Sequence, residues 1–188
     1  MMIRLFIALK LPEEIVKEMV LLRNSACEIA SEPVSGFRWE PEEKLHLTLK
    51  FLGDTEESKL PEIVKILSRI SEDFKAVSLE FDRFGFFLPR ILWFGLHAEN
   101  ALFDLVKRLN YDLQNLGFEP ENRNFKPHIT LLRIKHEVNP EFVSAFKNFK
   151  LPHRKFQAEE IALIKSELHP RGSIYSELQC FNLLQSEE

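Results

Sequence analysis

The residues whose types and spacing suit chemistry are two His-x-Thr pairs, His46-Leu47-Thr48 and His128-Ile129-Thr130. The chain has 6 histidines, and its only threonines are Thr48, Thr55 and Thr130. Two of those threonines therefore follow a histidine by two places, each pair with an aliphatic residue between and a leucine after. In a strand, residues i and i+2 point to the same face. Each pair thus presents one titratable imidazole beside one neutral hydroxyl, while Leu47, Leu49, Ile129 and Leu131 face the core and hold the register. A single His-x-Thr is ordinary strand packing; two at matching places in a repeat point to function. Two opposed histidines without a carboxylate pair suit in-line displacement at phosphorus. One imidazole takes a proton from the nucleophile and the other, protonated, gives one to the leaving oxygen. The ordinary histidine pKa of about 6.5 serves both tasks near neutral pH. The threonine hydroxyls can donate to the non-bridging oxygens, where charge grows in the transition state. By symmetry the residues alone leave either histidine as the acid. Two histidines with no carboxylate or thiolate at ligand spacing make a poor zinc site, so no metal is expected.

The elements that must position these pairs follow from periodicity. Ile3–Leu9 reads as a buried strand, and Pro12 opens a helix carrying Ile15, Met19 and Leu22 to about Ala30. Phe37–Trp39 reads as a short extended piece, and Leu45–Leu52 as a strand ended by Gly53-Asp54. Leu60 to Ile70 stripes a second helix. Val77–Phe81 and Ile91–Leu96 alternate as strands. Leu102 to Leu116 marks a third helix closed by Gly117. His128–Ile134 is a strand, and Asn139 caps a fourth helix with Pro140 at its first position. Phe156–Ile164 and Ile174–Leu184 read as closing strands, followed by a frayed Ser-Glu-Glu tail. The order strand, helix, extended piece, strand, helix, strand occurs twice, and both His-x-Thr pairs fall at the same place in it. This predicts an α+β chain of duplicated, bilobal form over residues 1–188. The lobes span approximately 1–88 and 89–188, with strand exchange possible at the C-terminus. They should form one compact unit in which the lobes face each other.

Composition bounds the rest. A chain of 188 residues, 45% hydrophobic and 29% charged, can bury a core without staples. A net charge of −4 gives no global basic footprint for wrapping duplex nucleic acid. No apolar run is long enough to span a membrane, and the N-terminus carries no signal-peptide cleavage pattern. Cys27 and Cys180 fit no metal or redox spacing and read as reduced residues of a cytoplasmic protein.

The paired HLTL and HITL motifs resemble the two HxTx motifs of the 2H phosphoesterase superfamily. The match is closer to the branch of RNA 2′,3′-cyclic phosphodiesterases, also called 2′-5′ RNA ligases. Arg4–Leu9, Trp39–Gly53, Phe125–Arg133 and a closing segment with Ser166, Gly172 and Tyr175 are similar to that branch, so the likeness covers nearly the whole chain. It implies a bilobal α+β fold with two antiparallel-rich sheets facing a central cleft and helices outside, and opening of a terminal ribose 2′,3′-cyclic phosphate by water to leave a 2′-phosphate, without cofactor. His46 would protonate the departing 3′ oxygen, His128 would activate water, and Thr48 and Thr130 would hold the phosphate. Arg133 matches the arginine of the family's second motif. Strict alternation turns it away from His128, so it reaches the cleft only if the strand ends or bulges near Leu132. Phe6, Lys50 and Tyr175 are candidates for substrate or base contact: Phe6 as a stacking platform, Lys50 because it should share the face of His46 and Thr48. Arg123, Lys126, Arg133 and Lys135 form a stretch without acids that could carry an RNA backbone. His97, His136, His153 and His169 lack a partner threonine and read as structural or surface residues. The expected partner is an RNA bearing a cyclic phosphate end, or a small cyclic nucleotide, bound by a monomer with no membrane contact. The alternatives are a 2′-5′ RNA ligase acting on tRNA-half-like ends, with a 5′-hydroxyl in place of water, and an RNA-end or nucleotide-binding module with little turnover.

Overall fold

The computed structural model describes residues 1–30, 37–88, 90–121, 124–134, 138–170 and 172–185. Within these, Met2–Leu9 (β1), Leu47–Glu56 (β2), Glu160–Glu167 (β7) and Ile174–Asn182 (β8) form one antiparallel sheet in the order β2-β1-β7-β8. Val77–Phe87 (β3), Ile91–Ala98 (β4), His128–Arg133 (β5) and Lys155–Ala158 (β6) form a second in the order β5-β4-β3-β6. Four helices, Glu13–Ile29 (α1), Leu60–Asp73 (α2), Asn100–Gln114 (α3) and Pro140–Asn148 (α4), complete an α+β fold.

Neither sheet is continuous in sequence. β3 leaves the first half of the chain to pair with β4, while β7 returns from the second half to pair with β1. The segment expected as one strand, Phe156–Ile164, is two. β6 pairs with β3, the chain passes Glu159, and β7 crosses to the other sheet. The burial pattern carries the reason: it alternates through β6 and becomes a continuous buried run at Ile161–Ile164. A strand covered on both faces reads as a continuous apolar run rather than as alternation.

Helix boundaries follow local chemistry. Asn139 accepts a hydrogen bond from the Phe142 N–H at 2.6 Å, capping α4 with Pro140 at its first position. Pro12 stands just ahead of α1, its carbonyl taking the Ile15 and Val16 N–H groups, and Glu13 and Glu14 favour the helix dipole. Beyond α3, Gly117 adopts φ +82° while the Phe118 N–H reaches back to Leu113. That left-handed conformation favours glycine.

One face of each sheet packs with the helices into a continuous core containing Leu5, Ile7 and Leu9 from β1 and Leu92, Phe94 and Leu96 from β4. On the other face of the first sheet, Phe6, Ala8, Ala162 and Ile164 form a small separate apolar cluster with Tyr175 and Cys180 against it. That face lies toward a cleft where β2 and β5 approach each other.

Candidate active site

The cleft holds a cavity of about 690 Å³ whose walls include His46, Thr48, His128, Thr130, Arg133, Lys44, Lys126 and Tyr175. Both predicted pairs therefore meet in one space. Their imidazoles are held alike. His46 Nδ1 lies 2.6 Å from the Lys44 carbonyl, and His128 Nδ1 lies 2.7 Å from the Lys126 carbonyl. A carbonyl only accepts, so Nδ1 carries the hydrogen in both rings and Nε2 is left for proton traffic. His46 Nε2 is 3.1 Å from Thr48 Oγ1.

The surroundings of the two rings differ. His46 stacks on Phe6 at 4.8 Å and meets Tyr175 edge-on at 5.7 Å. Burial lowers its pKa to about 4; the Lys44 carbonyl pulls upward and the Arg133 cation pushes it further down. His128 meets Phe87 edge-on at 5.1 Å and Trp93 at 6.3 Å. The indole of Trp93 lies so flat on the sheet that a Cβ at Gly85 would sit 2.2 Å from it and one at Gly95 2.8 Å.

Strand irregularities decide what else reaches the cavity. In the β4–β5 ladder Trp93 aligns with Thr130 and Leu92 with Leu132, so Leu131 is an extra residue. This bulge restores Arg133, aligned with Ile91, to the face of Thr130, which is the condition strict alternation left unmet. Arg133 Nε is 3.3 Å from Glu40 Oε1, another residue of the cavity wall. Burial raises the Tyr175 pKa and Glu40 adds to this, while the charge and hydrogen bond of Arg133 oppose it. The extended piece expected before Pro41 lies along β5, with Trp39 bridged to Leu132 and the Glu40 N–H on the Leu131 carbonyl.

β2 has the same irregularity. Ala8 aligns with Thr48 and Ile7 with Lys50, leaving Leu49 extra. Two expectations change as a result. Lys50 does not share the face of His46 and Thr48: it aligns with the core residue Ile7, is 3% exposed, and donates to Asn110 Oδ1 at 2.7 Å and the Glu119 carbonyl at 2.8 Å. Phe51 takes the cleft-facing place instead, 64% exposed on the cavity wall. Phe6 is not a platform for a base either. At 2% exposure its ring is covered by His46, Tyr175 and Phe51 and supports the histidine from beneath.

Alternation alone overlooks Phe51, Phe87, Glu40 and Asn110. The repeat itself carried a signal for Phe51, which follows Thr48 by the same three places as Arg133 follows Thr130. Of the acid-free basic stretch, Lys126 and Arg133 line the cavity; Arg123 and Lys135 lie outside the described residues, as do His136 and the three-residue tail. His153 is exposed and pairs with Glu80 at 3.1 Å, and His97 and His169 are exposed. Among the described residues no cluster of three or more His, Cys, Asp or Glu is placed to hold a metal, and no helix is long and apolar enough to cross a membrane.

The family model described as LigT like Phosphoesterase matches residues 9–93 and 95–175. The chain belongs to this family. Among its LigT-like relatives, an RNA 2′,3′-cyclic phosphodiesterase of Thermotoga maritima is 32% identical over 182 residues, covering 93% of this chain and 92% of the relative. One of the same name from Methanocaldococcus jannaschii is also 32% identical, covering 92% and 96%. Among solved LigT-like structures, a protein of Thermus thermophilus superposes with a TM-score of 0.79 at 28% identity, covering 98% of this chain and all of that one. E. coli LigT complexed with 3′-AMP gives 0.75 at 27% identity, covering 97% and 99%.

Proposed function

We propose that this LigT-like chain hydrolyses the 2′,3′-cyclic phosphate at an RNA end to a 2′-phosphate, using two histidines and no metal. The observation that carries the reading is the paired geometry: two imidazoles in one cavity, each with Nδ1 on a backbone carbonyl and Nε2 left for proton transfer, each beside a threonine. The names of the bacterial and archaeal relatives support the substrate class.

In the reaction, water attacks phosphorus opposite the 3′ oxygen. His128 Nε2 takes a proton from the water as the new P–O bond forms. The P–O3′ bond breaks, and His46 Nε2–H protonates the departing oxygen, leaving a 3′-hydroxyl and a 2′-phosphate. The division of roles follows the family resemblance. Without substrate beside it, His46 is neutral at neutral pH, because burial holds its pKa near 4. An anionic cyclic phosphate beside it favours the imidazolium, so substrate binding itself loads the acid. Thr48 and Thr130 donate to the non-bridging oxygens, and Arg133 compensates the growing charge. Phe51 offers an exposed ring on which the terminal base can stack. Tyr175 acts by packing on His46 and Phe6.

Every group in this mechanism comes from one chain, so a monomer suffices. With Cys27 buried in the core, the chain suits a reducing compartment, and we place it in the cytoplasm.

The test is incubation with a short RNA ending in a 2′,3′-cyclic phosphate, in EDTA, with the products resolved. A 2′-phosphate is expected. A 3′-phosphate would reverse the substrate orientation. Activity only without EDTA would overturn the metal-free mechanism. Tight binding without turnover would leave a binding module.

A further inference from the structure

Lys50 is a buried cation held by neutral oxygens. Its ammonium donates to Asn110 Oδ1 and to the Glu119 carbonyl, and no carboxylate lies within ion-pair distance among the described residues. A buried charge without an ionic partner is costly. Two of its three donors are taken by these oxygens, and no third acceptor is found among the described residues. The lysine borders the cavity, but from the face of β2 opposite His46 and Thr48. It therefore does not face the phosphate between the threonines.

The same end of the cavity is a built recess. Asn110 projects from α3 with its amide fixed, Nδ2 donating to the Val106 carbonyl at 2.9 Å and Oδ1 accepting from Lys50. The Glu121 N–H also reaches Asn110 Oδ1, at 3.4 Å, which brings the exposed Glu121 to the recess near enough to act on the Lys50 charge. Phe125 adds apolar wall. The recess thus offers a fixed cationic donor beside an anionic acceptor, against an aromatic surface. A flat heterocycle with ring acceptors and exocyclic N–H groups matches that chemistry.

We infer that the recess between β2 and α3 reads the edge of the base of the terminal nucleotide, with Lys50 donating to it and Glu121 accepting from it. The inference rests on the proposed phosphodiesterase reading for the placement of the phosphate, and its test does not depend on turnover.

The experiment is calorimetric titration of the full-length protein with the four nucleoside 2′-phosphates and with inorganic phosphate. Wild-type affinities should differ among the bases by tenfold or more. In Glu121→Gln and Lys50→Met the spread should shrink to about threefold, with the preferred base losing more affinity than inorganic phosphate. Glu121 is exposed, so its variant keeps the test valid if Lys50→Met fails to fold. Equal wild-type affinities, or a spread that survives Glu121→Gln, would overturn the inference. So would a uniform loss for all bases and phosphate alike, which would make Lys50 only a tie between β2 and α3. A base preference erased by the variants in a protein that hydrolyses nothing would sustain the recess and sink the phosphodiesterase reading instead.

Discussion

Phe51 and Arg133 occupy corresponding places on the two sides of the cleft, each three residues beyond its threonine and each turned inward by a one-residue bulge, at Leu49 and Leu131. The two strands carry similar His-x-Thr segments, and these two positions set them apart. One side presents an aromatic surface and the other a cation. A nucleotide is asymmetric in the same sense, with a base at one end and a charged phosphate at the other.

This asymmetry separates two variants. Arg133→Ala should lower kcat by about 10²–10³, the range for removing one donor to a transition-state oxyanion. Phe51→Ala should instead raise KM by about tenfold with kcat nearly kept, as stacking on one base is worth about 1–3 kcal/mol. Steady-state kinetics with a cyclic nucleotide checks both; an equal split between kcat and KM in the two variants would contradict the assignment.

The depressed pKa of His46 predicts an acid-side loss of stability. Its folded pKa, near 4, lies below the ordinary value of 6.5. Between those values the unfolded chain holds the proton and the folded chain does not. Stability is therefore complete above about pH 6.5 and falls as pH drops toward 4. Urea unfolding of wild type and His46→Gln at pH 7 and pH 4.5 should differ in pH dependence by about 1–2 kcal/mol, wild type losing more. Adding a nucleoside 2′-phosphate should move the His46 imidazole titration upward in NMR spectra. No movement would contradict substrate-loaded protonation.

Gly85 and Gly95 make room for the Trp93 indole near His128. Either Gly→Ala change places a Cβ against the ring, at 2.2 Å and 2.8 Å respectively. Each should cost about 1–3 kcal/mol by overpacking, Gly85→Ala the more, and should reduce turnover by shifting the surface His128 rests on. Thermal melts with activity measured on the folded fraction test this; wild-type turnover from that fraction would contradict the support given to His128.

Much of this site is legible in the sequence. His46, Thr48, His128 and Thr130 could be read because a period of two places i and i+2 on one face and both pairs sit at one point of a repeat. Phe51, Lys50 and Arg133 could not be placed by that rule. A bulge inserts one residue and reverses every later orientation, and Leu49 and Leu131 look like any strand leucine. The split of Phe156–Ile164 was hidden for a related reason: a single residue, Glu159, carries the chain from one sheet to the other. Lys50 and Asn110 lie 60 residues apart, so their recess exists only in the tertiary fold.

The central claim is that the two histidines perform the proton transfers. Turnover of a 2′,3′-cyclic phosphate RNA by His46→Ala and His128→Ala, each verified as folded by circular dichroism, tests it most directly. The account predicts that each falls by about 10²–10⁴, the contribution of a positioned general acid or base. Near-wild-type turnover in both folded variants would contradict it.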